Sequence, residues 1–152
     1  NDVMPIGENQ LFTSDELLIL NDRKIQNKWK NDTISSYFQT GVAIGEYAYQ
    51  FSTHRNKSFL YCIDLKNGQP KWRNDMGKWG TILGTKDKLI IMSGLGKVII
   101  AEANPNEYKP LKELQVFDSE DVEENWCWTM PTLVNQQLFV RNSKGEVACI
   151  QL

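Results

Sequence analysis

Cys62-Ile63-Asp64-Leu65-Lys66-Asn67-Gly68-Gln69-Pro70-Lys71-Trp72 reads as a β-hairpin: an apolar strand end, a turn, and a return strand that carries an indole. In the turn, Asn67 and Gly68 accept the positive φ that tight connections demand. The same design stands roughly 43 residues upstream, where Leu17-Leu18-Ile19-Leu20 leads through a polar turn to Trp29, and diluted copies recur about every 38 to 49 residues, the spacing of stacked or radial arrays. Gly45-Glu46-Tyr47, Asp87-Lys88-Leu89 and Gln136-Gln137-Leu138 share a polar-polar-apolar pattern. Each precedes a second β-rich run, and the alignment lays Leu17 on Leu60, Tyr47 on Leu89 and Leu138, and Cys149 on Cys62. Met4-Pro5 and Met130-Pro131 open their copies alike.

Strand signals dominate outside the hairpin as well. Leu17–Leu20, Val42–Phe51, Phe59–Leu65, Lys88–Met92, Lys97–Ala101, Leu114–Phe117, Leu138–Arg141 and Glu146–Leu152 are short and rich in β-branched or aromatic residues, and helical periodicity is absent. Short strands with a period near 40 favour a β-propeller, a fan of four-stranded antiparallel sheets, over a sandwich. The fold class expected is therefore all-β, a single partial propeller with blades at about 3–30, 37–73, 79–117 and 127–152. The fourth unit is one strand short, so the expectation is about three and a half blades. That size fits part of a longer propeller or a half-ring completed by a second copy.

The chain's 152 residues carry 17 basic and 19 acidic side chains. This near balance offers no electrostatic case for nucleic acid, and no apolar run approaches the roughly 20 residues of a membrane span. Asn1-Asp2-Val3-Met4-Pro5 lacks the charged and apolar regions of a secretory signal, so the sequence reads as a mature form or a cytoplasmic one. Three cysteines leave at least one thiol without an internal partner. Cys62 and Cys149, on equivalent strands two units apart, are read as small buried apolar residues.

The hairpin resembles the tryptophan-docking repeat of the pyrroloquinoline-quinone (PQQ)-type propellers. Cys62, Asp64, Gly68 and Trp72 stand at that repeat's offsets, with Asn67 where Thr is usual. The run Trp128-Thr129-Met130-Pro131 to Cys149-Ile150 is similar to the last repeat of secreted bacterial members. The resemblance implies structural docking roles for Asp64, Gly68, Trp72 and Trp29, and a periplasmic or secreted location. In the third unit Pro110, or Leu114 after a longer insertion, stands where the docking Trp is expected, so docking there is degenerate. The family includes quinone-dependent alcohol and sugar dehydrogenases that hold PQQ and calcium, and non-enzymes such as the lipoprotein propeller of the outer-membrane β-barrel assembly machinery. Adjacent cysteines of the quinoprotein kind do not occur in this sequence, and no carboxylate and Asn match that family's ligand positions. The expectation is a non-catalytic interaction or ligand-recognition scaffold with no cofactor or metal. The alternative is a fragment of a PQQ- and calcium-dependent dehydrogenase.

Three further features invite a functional reading. Asp118 to Asn125 is the one strong charge cluster, but it lacks the alternation and Gly of a calcium loop and reads as a solvated connection. His54 stands in a polar loop without metal-ligand spacing. Trp126-Cys127-Trp128 alternates, so in an extended chain both indoles share one face and Cys127 the other. The pair either buries between blades or, with Trp79 ahead of the third unit, forms an aromatic surface near the propeller axis for a protein partner or a small flat ligand.

Overall fold

The structure, a computed structural model, describes residues 3–22, 24–34, 36, 40–54, 57–118 and 126–152. All regular structure in them is β. Sheet one holds β1 (Met4–Ile6), β2 (Gln10–Thr13), β3 (Glu16–Asn21) and β4 (Lys24–Lys30). Sheet two holds β5 (Val42–Ile44), β6 (Tyr47–His54), β7 (Lys57–Asp64) and β8 (Pro70–Asp75). Sheet three holds β9 (Gly80–Gly84), β10 (Lys88–Ser93), β11 (Lys97–Glu102) and β12 (Pro110–Gln115); sheet four holds β13 (Thr132–Val134), β14 (Gln137–Arg141) and β15 (Val147–Gln151). Within each sheet every strand pairs antiparallel with its neighbour in sequence, so each sheet is a meander and a propeller blade. The expected partial β-propeller, three full blades and a three-stranded fourth, is what forms. The expected single strand Val42–Phe51 is two strands, because Gly45 takes φ 62° and turns the chain between Ile44 and Tyr47.

One hydrogen bond recurs in all four blades and sets their true register. Leu20 N donates to Asn9 O, Leu65 N to Glu46 O, Ala103 N to Asp87 O, and Leu152 N to Gln136 O, at 2.8–3.0 Å. Leu20, Leu65, Ala103 and Leu152 are therefore equivalent, and so, three residues earlier, are Leu17, Cys62, Ile100 and Cys149. The equivalence of Cys149 and Cys62 stands. Two other alignments shift. Leu17 matches Cys62 rather than Leu60, because the β3–β4 hairpin is longer than β7–β8: Leu17 pairs with Trp29, and Cys62 with Trp72. Ala48, not Tyr47, matches Leu89 and Leu138, and all three face the preceding blade.

Three apolar cores lie between successive blades. Phe12, Leu17, Ala48, Tyr61 and Ile63 fill the first seam; Tyr49, Phe51, Cys62, Leu89 and Ile91 the second; Ile90, Met92, Val98, Leu138 and Val140 the third. Consecutive residues of β6, β7 and β10 thus belong to different seams and are buried on both faces, which is why those strands read as nearly unbroken apolar runs. Burial of each large apolar side chain contributes about 1.5–3 kcal/mol. The outer strand β12 is exposed along its whole length, and its Pro110 and Lys112 are residues that discourage pairing with a further strand. Cys149 is exposed, contrary to expectation, whereas Cys62 is buried. Among the described residues no further sheet covers the Phe139–Cys149 face of blade four, where Phe139 is 37% exposed.

Candidate functional site

Aromatic residues gather at two kinds of place, the outer parts of the seams and one end of the third seam. At the first seam the Trp29 indole tilts against Phe12 with centroids 6.0 Å apart, and its Nε1 donates to Leu65 O of blade two at 2.9 Å. Gly68 lies directly under that ring. A Cβ built on it would stand 2.4 Å from Trp29 Cε3, and its φ is +73°, so the position excludes side chains on both grounds. Asp64 secures the same turn: its Oδ1 accepts Lys66 N at 2.8 Å and its carbonyl accepts Gly68 N at 2.8 Å. At the second seam Trp72 Nε1 donates to Asn104 O of blade three at 2.8 Å, with its ring between Tyr49 and Tyr108. Phe12, Tyr49 and Tyr108 were not singled out from the sequence; strand alternation marks Phe12 and Tyr49 as core, Tyr108 stands in the β11–β12 connection, and only the fold pairs them with the indoles.

The third seam differs at the equivalent place. In all three complete blades the β-pairing slips at one position, between Leu17 and Leu18, Cys62 and Ile63, and Ile100 and Ala101. Opposite Leu17 and Cys62 stand Trp29 and Trp72; opposite Ile100 stands Lys112. Neither Pro110, paired with Ala101, nor Leu114, paired with Val98, holds the docking register.

The other aromatic group caps one end of this third seam. Trp79 immediately precedes β9, and its carbonyl accepts Gly94 N from the β10–β11 turn at 2.8 Å. A Cβ on Gly94 would lie 2.8 Å from Trp79 O and 3.0 Å from its ring, so the glycine admits the indole onto the turn. The segment Trp126–Thr129 runs between blades three and four. Cys127 N donates to Gly94 O at 3.4 Å, Ser143 N to Trp126 O at 2.7 Å, and Thr81 Oγ1 to Thr129 O at 3.1 Å. These bonds turn Cys127 into the core and both tryptophans to the opposite side, in line with their alternation. Trp79 and Trp128 stack at 4.1 Å and 20°, and Trp126 lies 5.4 Å from Trp79 at 27°. Trp128 is 51% exposed, whereas Trp79 and Trp126 are half-buried. Lys78 Nζ sits 5.8 Å above the Trp126 ring, within cation–π reach.

Two thiols and a phenol buried in the seams are held neutral. Burial pushes the Cys62 thiol up to about 11, against an opposing hydrogen bond with Tyr49, and burial pushes Cys127 up to about 11. Burial, then the neighbouring Cys62, raises Tyr49 above the ordinary tyrosine range. Such thiols are poor nucleophiles. A concavity of about 700 Å³ lies beside blade two, lined by Asp32, His54, Phe59, Tyr61 and Arg73 among others. Arg73 stands 5.0 Å over the Phe59 ring, and His54 is exposed. Among the described residues no group of three or more His, Cys, Asp or Glu is placed to hold a metal ion. Ser119 to Asn125, most of the acidic run, lie outside the described residues.

No protein-family model and no curated protein sequence matches the chain. Solved structures share its fold. BamB from Moraxella catarrhalis aligns with 93% of this chain and 42% of its own, at 14% identity and a TM-score of 0.67. A europium-containing methanol dehydrogenase aligns with 73% of this chain and 22% of its own, at 17% identity and a TM-score of 0.58. The chain thus spans less than half the length of each, and what it has in common with them is the β-propeller fold. No helix among the described residues is long and apolar enough to cross a membrane.

Proposed function

We propose that this chain is a non-catalytic segment of a PQQ-like propeller that serves as a rigid recognition scaffold, with Trp79, Trp126 and Trp128 as the surface that meets a protein partner or a small flat ligand. The observation that carries the reading is the exposed stack itself. An indole pair at 4.1 Å with one ring half in water leaves apolar area that a second flat group can cover. Backbone bonds from two blades hold the rings in place, so little side-chain freedom is lost on contact. Docking by Trp29, Trp72, Gly68 and Asp64 supplies the rigidity. The remaining blades of a longer chain, or a second copy, are the further partners proposed, and a periplasmic or secreted setting is proposed from the resemblance of the docking hairpin. The test is a pull-down and binding isotherm with the intact protein against a Trp126→Ala/Trp128→Ala double variant that keeps a cooperative thermal unfolding transition. Loss of recovery is expected; equal recovery removes this face from consideration.

A further inference from the structure

The second seam lies between two complete four-stranded blades, and one end of it is hollow. A cavity of about 280 Å³ opens there between the connector Met76–Lys78 and the β10–β11 hairpin. Phe51, Met76, Leu95 and Ile99 supply its apolar lining, and Phe51 and Ile99 belong to the core of the seam. Its charged lining residues are Lys78 and Lys97, and no described carboxylate lines it. The larger concavity beside blade two differs, for there Asp32 shares the lining with Arg73. Glu113 meets Lys97 Nζ at 2.9 Å from the exposed strand β12, which leaves that ammonium two further donors. The walls are fixed by the backbone. Met76 N donates to Ser58 O at 2.9 Å, and the turn at Leu95 is tied by its N–H to Ser93 Oγ at 3.2 Å and by Gln115 Nε2 to its carbonyl at 2.8 Å.

We propose that this cavity is a binding site for a small monocarboxylate with an apolar body. A cavity of roughly 150 Å³ holds benzene, so this volume takes a body of about eight carbon atoms. The body covers Phe51, Met76, Leu95 and Ile99, and the carboxylate accepts from the ammonium groups of Lys78 and Lys97, point charges on flexible stems. An anion without a body gains only surface ion pairing, which is worth little, and a body without a charge leaves both ammonium groups to water. Lys78 also stands over Trp126, whereas Lys97 serves the cavity alone of the two. The site does not rest on the role proposed for the Trp79–Trp126–Trp128 surface.

The probes are octanoate, octanol and acetate, each titrated into the 152-residue chain with labelled Ile, Leu and Met methyl groups. Saturable shifts at Met76, Leu95 and Ile99 are expected with octanoate at sub-millimolar affinity, more weakly with octanol, and not with acetate. Lys78→Gln and Lys97→Gln each weaken octanoate about threefold to fivefold and leave octanol unchanged. Leu95→Trp fills the cavity and abolishes binding of both; Met76→Trp does the same from the connector should the first variant not fold. A Trp126→Ala/Trp128→Ala variant keeps the octanoate shifts, and their loss there would put the probe on the indole surface and overturn the cavity. Absence of saturable shifts up to millimolar octanoate, or binding that survives the filling variants, also overturns it. Equal response of octanoate and octanol to Lys97→Gln overturns the selectivity for an anion.

Discussion

The second and third seams of this propeller use tryptophan in opposite ways. In the second, Trp72 lies inside the joint, between Tyr49 and Tyr108 and hydrogen-bonded across to blade three. In the third, the indoles cap one end and face outward, while the docking register holds a lysine. The difference teaches that an indole stabilises a joint by where the backbone aims it, and that the same ring aimed outward, as at Trp128, keeps much of its area in water. Area decides between the two roles: a ring covered on both faces contributes to stability, and one covered on a single face leaves the rest for binding.

The comparison is most easily broken at Trp72. Its replacement by Ala should cost about 3 kcal/mol in urea unfolding, and a loss below about 1 kcal/mol would mean that the ring does not hold the second seam. Gly68→Ala should cost about 2 kcal/mol or more, since it combines a disfavoured backbone angle with a collision against Trp29. A Gly68→Ala, Trp29→Ala double variant sharpens the assignment, because removal of the ring should relieve the collision and leave the angle. Trp128→Ala, in contrast, should change stability by about 1 kcal/mol while abolishing partner recovery. Lys112→Ala should stay within about 0.5 kcal/mol, as for other exposed positions without a packing role.

A pH series separates the seams from the surface in a different way. Burial holds the Cys62 and Cys127 thiols protonated up to about 11, against an ordinary value of 9.0. Above pH 9 the unfolded chain releases protons that the folded chain retains, so stability is fully present below 9 and falls as pH rises from there to about 11. Unfolding midpoints measured at pH 8, 9 and 10 should decline, and Cys62→Ala should flatten the decline whatever it does at pH 8. Cys149, exposed on blade four, should react with a thiol reagent in the native state while Cys62 and Cys127 do not.

Much of the fold could be read from local pattern. The Lys66-Asn67-Gly68 turn, the apolar runs and the internal period place antiparallel strands in a repeating array because turn geometry and side-chain alternation are short-range constraints. Register was harder. Tyr47 and Ala48 are both apolar and adjacent, and which of them looks toward the preceding blade is fixed by a register, marked by the bond from Leu65 N to Glu46 O, that leaves no trace in residue type. The two-residue offset at Leu17 hid in the same way, since a longer hairpin preserves both the apolar run and its terminal Trp.

The chain alone determined that it would build blades and which indoles stand at strand ends, because those properties follow from alternation, turn residues and spacing along one strand or hairpin. Tertiary structure decided that Gly68 must be bare because Trp29 from another blade rests on it. It also decided that Trp79 and Trp128, far apart in sequence, stack face to face, and that Lys112 stands where an indole stands twice before. Each of these depends on how separate sheets meet, and side-chain contacts across a seam are set by the relative placement of two backbones that no local pattern encodes.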